Sequence, residues 1–116
     1  MNEESILTKQ ICQLLRIYKI FVFHIPNEGK RTRYEQSIFK SNGGLAGAPD
    51  LIIVLENEVV FVEVKTKSGR QTEYQKIFQQ KVNSLGHRYL IWRGLIDAQE
   101  FIKEHLSKNF FKGDNR

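Results

Sequence analysis

At 116 residues, 41% hydrophobic and 27% charged, the chain can bury one core but not two, and its composition is that of an ordinary globular domain. Its longest apolar run, Ile20 to Phe23, is far short of a bilayer span, and a lone Cys12 excludes both an internal disulfide and a thiolate metal cluster. Eighteen Lys and Arg against 13 Asp and Glu give +5 at pH 7, a balance that favours polyanionic partners without naming one. The acidic start Met1-Asn2-Glu3-Glu4 is unlike a secretory signal, so an intracellular, cytoplasmic protein is expected.

In chain order, Glu4, Leu7, Ile11, Leu14, Leu15 and Tyr18 recur at helical spacing and predict a first helix from about Ser5 to Lys19, on which Cys12 serves as a small apolar residue. Ile20 to Ile25 reads as a strand ended by Pro26. Residues 27–49 are long for a plain connection, which points to a functional loop; Tyr34 to Lys40 supplies a short helix within it. Asp50 to Leu55 and Val59 to Lys65 form a hairpin, nearly continuous in Val, Ile, Leu and Phe and so expected in mid-sheet, buried on both faces. Tyr74, Ile77, Phe78, Val82 and Leu85 mark a further helix closed by Gly86. Tyr89 to Trp92 is the last strand, Ile96 to Leu106 the last helix, and the tail from Lys108 lacks periodicity and should fray. The whole is a single α/β domain with a mixed central sheet flanked by helices, in the order α-β-β-β-α-β-α.

Charge is out of place in such strands, yet the hairpin begins with Asp50 and ends with Glu63 and Lys65. Removing charge from water costs several kcal/mol unless it is paired or metal-bound. With a two-residue loop, paired indices sum to 113 for a turn at Glu56-Asn57 or to 115 for one at Asn57-Glu58. The first sets Asp50 opposite Glu63 and the second opposite Lys65; either gathers all three on one face within about 5 to 8 Å. Two carboxylates so close repel unless a cation sits between them, and hard oxygens without cysteine suit Mg²⁺ or Mn²⁺. Lys65 beside them is placed to orient water or to stabilise charge developing on a phosphate; the structural alternative is an ion pair that merely closes the strand end.

Pro49-Asp50 followed by Glu63-Val64-Lys65 resembles the PD-(D/E)xK signature of the nuclease superfamily that includes restriction endonucleases and Holliday-junction resolvases. With Gly47-Ala48 before it, a helix opening at Gln75 and an acid on the leading helix, the chain is most similar there to the stand-alone, virus-type VRR-NUC domain, from Glu4 to about Trp92. The resemblance implies a restriction-endonuclease-like fold and a metal-dependent DNA endonuclease acting on duplex or branched DNA. It implies that Asp50, Glu63 and the Val64 carbonyl hold the metal, that Lys65 is catalytic, that an acid at Glu4 assists, and that Gln75 contacts the site. It also implies a homodimer and a phage-type source, and replication, recombination and repair all fit it.

Glu4 lies at the centre of its apolar stripe, although an acid in a first turn also complements the helix dipole. Thr72-Glu73-Tyr74-Gln75 equally fits a capping box. Lys30, Arg31, Arg33 and Lys40 on one side of the proposed site, and Lys67 and Arg70 on the other, form a candidate DNA-phosphate set. Tyr34 and Phe39 lie among them, as loop packing or as stacking platforms. His24, His87 and His105 share no spacing and read as structural, and Phe61 and Trp92 read as core. The rival function is a non-catalytic DNA-binding module with a nuclease-like fold.

Overall fold

The computed structural model describes residues 2–26 and 32–114, with side chains to residue 108. The order is α1 (Glu3–Ile17), β1 (Phe21–His24), α2 (Arg33–Ser41), β2 (Leu51–Val54), β3 (Val59–Val64), α3 (Glu73–Ser84), β4 (Arg88–Trp92) and α4 (Leu95–Asp114). One four-stranded sheet runs β1-β2-β3-β4, antiparallel in its first two pairings and parallel between β3 and β4. That is the expected α-β-β-β-α-β-α chain, with α2 inside the long connection.

Strand alternation sorts the side chains. Leu51, Ile53, Val60, Val62, Val64 and Trp92 point to one face, where Ile11 and Leu15 of α1 and Ala98, Phe101 and Ile102 of α4 bury them. On the other face Phe61 meets Phe78 of α3 at 5.8 Å between ring centroids, and Phe78 meets Tyr89 at 6.3 Å. Helix α3 packs against β4 and leaves β1 and the end of β2 bare there, so Val54 is 39% exposed and Phe21 66%. The hairpin is therefore central, as expected, but covered on both faces only along part of its length. Phe61 belongs to this thinner α3 layer and Trp92 to the main core.

The helix ends are set by matching closures. In α3, Gly86 at φ +88° lets its own N–H reach Asn83 O and the His87 N–H reach Val82 O, both at 3.0 Å. Helix α1 ends the same way: Lys19 N donates to Arg16 O at 2.9 Å and Ile20 N to Leu15 O at 3.1 Å, with Lys19 at φ 59° where a glycine would be at ease. A lysine carries no stop signal, so the sequence runs this helix two residues too far. At its start Asn2 Oδ1 accepts from Ser5 N at 2.8 Å and begins it two residues early. Helix α4 starts where Asp97 Oδ2 accepts from Arg93 N and Gly94 N. It continues past Lys108 to Asp114, where fraying was expected; a 2.9 Å Lys108–Glu104 pair spans the turn at which the periodicity stops.

The paired closures are separable by mutation. Nothing lies within 4 Å of a Cβ built on Gly86, so Gly86→Ala costs backbone strain alone, about 1 kcal/mol, whereas Lys19→Gly relieves the same strain and raises stability by up to about 1 kcal/mol; urea unfolding measures both.

Candidate active site

The hairpin pairs Leu51 with Val62 and Val54 with Val59, the register whose indices sum to 113, and Leu55 N donates to Glu58 O at 2.8 Å across the Glu56-Asn57 turn. Continuing that register by one residue sets Asp50 opposite Glu63. Asp50 sits in a bend just before β2 and is tied on both sides. Its backbone carbonyl accepts from Ile25 N at 2.7 Å, and its Oδ2 accepts from Val64 N at 2.7 Å. The carboxylate thus takes the place that a further strand residue would hold, fixed to the backbone of β3.

Glu63 and Lys65 follow Phe61 on the α3 face and are 4% and 9% exposed. Burial, then the hydrogen bond and negative charge of Asp50, push the Glu63 carboxyl up to about 9; Lys65 and the Tyr89 hydroxyl pull the other way. Asp50 and Glu63 are therefore close enough to share a proton. Tyr89, 7% exposed, donates to Glu63 Oε2 at 3.4 Å, and its hydroxyl is pushed well above the usual phenol range, first by burial and then by the Glu63 charge. Gln71 hydrogen-bonds the Tyr89 hydroxyl and donates from Nε2 to Gln79 Oε1 at 2.9 Å, so the chain of polar contacts is anchored on α3.

Lys65 is held through its backbone N–H, which donates to Trp92 O at 3.0 Å. Beyond it, Arg93 Nη1 donates to Thr66 O at 2.8 Å and Gly69 O at 2.6 Å, pinning the loop that carries Lys67 and Arg70. On the far side, Gly47 at φ +85° presses against α3: a Cβ there would stand 2.4 Å from the Tyr74 carbonyl and 2.8 Å from Gln75 N. This close approach brings the Gly47 to Asp50 turn beside the start of α3, and with it Gln75.

Gln75 fulfils the capping box. Thr72 Oγ1 accepts from Gln75 N at 3.2 Å, and Gln75 Oε1 accepts from Thr72 N at 2.8 Å. Glu4 is half-buried on α1, which packs on the other face of the sheet. Among the described residues no three of His, Cys, Asp and Glu converge, so Glu4 is not gathered with Asp50 and Glu63. Arg33 and Lys40 are exposed at either end of α2, and Lys67 and Arg70 are exposed beyond Lys65; Lys30 and Arg31 lie outside the described residues. Tyr89, Gln71 and Arg93 escape sequence reasoning, because only the parallel β3–β4 register reveals that Tyr89 lies beside Glu63.

The donor set fits a hard divalent cation. It offers two carboxylates within hydrogen-bonding reach, one almost dry, and Mg²⁺ binds through one or two carboxylates while keeping several waters. Without a cation, Glu63 keeps a proton in the folded chain that the unfolded chain releases near pH 4.5. Its contribution to stability is complete below that pH and is lost as the pH rises towards about 9. Metal-free protein therefore unfolds at progressively lower urea between pH 5 and pH 9, and Glu63→Gln flattens that slope.

The sequence matches no protein-family model and no curated relative. Solved structures similar in fold include the following two. A "VRR_NUC domain protein" superposes with TM-score 0.75 at 19% identity, covering 92% of this chain and 90% of its own. A "VRR_NUC domain" gives TM-score 0.64 at 18% identity over 89% of this chain and 97% of its own. The chain thus shares the fold of these VRR_NUC domain structures.

Proposed function

We propose that the protein is a Mg²⁺- or Mn²⁺-dependent endonuclease that hydrolyses phosphodiester bonds in duplex or branched DNA. The observation that carries this reading is the Asp50–Glu63 pair, withdrawn from water at the end of the central hairpin with Lys65 two residues on. Asp50, Glu63 and the Val64 carbonyl would hold the cation, which supplies Lewis-acid polarisation of a phosphoryl oxygen when bound. Asp50 is pre-oriented by the Val64 N–H, and Glu63 gives up its proton as the site is loaded. Lys65, a compact ammonium charge in a nearly dry setting, orients the attacking water and offsets negative charge growing on the phosphate. Gln75 enters through its amide N–H groups, its oxygen being engaged by Thr72. Arg33, Lys40, Lys67 and Arg70 would neutralise phosphates on either side of the cut.

A non-catalytic DNA-binding module has no need of buried carboxylates, which repel the phosphates it binds. Cleavage of duplex, flap, splayed and four-way DNA with Mg²⁺ or Mn²⁺ tests the proposal. Asp50→Ala and Lys65→Ala should each lower the rate at least ~100-fold. Undiminished cleavage in both variants overturns it, and metal-independent binding without cleavage supports the module instead.

A second copy of the chain suits the face that α3 leaves bare. Phe21 and Phe23 stand there edge to face at 6.2 Å, 66% and 41% exposed, on a strand whose outer edge is unpaired among the described residues. Sedimentation at micromolar concentration should give a dimer, and Phe21→Ser should shift it towards monomer.

A further inference from the structure

Between α1 and the edge strand β1 lies a groove of about 750 Å³, lined by Ser5, Thr8, Lys9, Gln13, Arg16 and His24 among others. Its chemistry is one-sided: no carboxylate lines it, although the first turn of the same helix carries Glu3 and Glu4. Arg16 ties helix to strand, its Nη2 donating to the Val22 carbonyl at 3.4 Å. His24 closes β1 at the end where the next residue, Ile25, donates to the Asp50 carbonyl at 2.7 Å. The groove therefore begins beside the backbone that holds Asp50 and leads away along α1, on the side of the sheet opposite α3. None of its residues belongs to the basic set around α2 and the Lys65 loop.

We propose that this groove is a second track for a nucleic-acid phosphate backbone, so that the protein holds DNA on both sides of the sheet end that carries Asp50 and Glu63. This inference rests on the nuclease reading and gives its duplex or branched substrate a physical basis. Cations and amide or hydroxyl donors without a competing carboxylate bind phosphates irrespective of base sequence. Contacts on both sides of one sheet end require two backbone segments, which a duplex or a branch point supplies and a lone strand does not.

Fluorescence anisotropy of the full chain with labelled duplex, four-way junction and single strand, without divalent metal, tests the groove apart from the chemistry. For duplex and junction, Lys9→Gln should flatten the dependence of log affinity on log salt by about 0.9, and Lys9→Gln with Arg16→Gln by about two. For the double variant, the affinity lost between about 50 and about 200 mM salt then shrinks roughly tenfold. Lys103→Gln, an exposed cation on α4, should leave the slope unchanged, and single-strand binding should respond little to any of the three. Because Arg16 also bonds Val22, Lys9→Gln alone is decisive if the double variant misfolds. A Lys9→Gln slope equal to that of Lys103→Gln, or an equal loss on single strands, overturns the second track while leaving Mg²⁺-dependent cleavage to stand. Absence of cleavage with the groove effect intact overturns the nuclease reading alone.

Discussion

The pairing of Leu51 with Val62 is the constraint from which the rest of the site follows. Because side chains alternate along a strand, one register puts Leu51, Ile53, Val60, Val62 and Val64 together under α1 and α4, and the same register must put Asp50, Glu63 and Lys65 on the opposite face. A slip of one residue would drive Glu63 into the main core and expose Val62. The energy that aligns the apolar face thus also aligns the carboxylates. Apolar burial sets positions that the charged groups, left to their mutual repulsion, would not choose.

That repulsion is contained rather than relieved. Asp50 is held by two backbone contacts at 2.7 Å, Glu63 is 4% exposed with its carboxyl pushed up first by burial and then by Asp50, and the Tyr89 hydroxyl donates to it. Tyr89 is in turn fixed from α3 through Gln71 and Gln79. Such an arrangement is destabilised as the pH rises, and a cation would replace the proton with two further hydrogen-bonded groups already in place to orient its ligands. Arg93 does for the loop after Lys65 what Asp50 does for β3: one side chain satisfies backbone groups where regular pairing has stopped.

The two ends and two faces of the sheet are unequally finished. The main core face is closed by two helices, while α3 covers β4 and leaves the aromatic pair of β1 in the open. The end that holds the carboxylates has the Lys65 loop and the start of α3 on one side and, on the other, the α1 groove that carries Lys9 and Arg16. Apolar surface suits a protein neighbour and donor-rich surface suits a polyanion, so the two proposed partners do not compete for the same residues.

The sequence by itself determined the element order, the central hairpin, the Asp50, Glu63 and Lys65 trio and the Gly86 helix end, because hydrophobic period, a glycine stop and misplaced charge are local signals. It left the register open between two sums, ran α1 past Ile17 because Lys19 adopts a glycine's conformation, and left Gln75 divided between cap and site. Only the tertiary structure chose the register, set α1 and Glu4 on the far face from the carboxylate pair, and brought Tyr89 and Arg93 to the site. Tyr89 and Arg93 reach the site through contacts between residues some two dozen or more apart, and the free energy that decides all of these features comes from packing whole faces together. No periodicity within one segment encodes that.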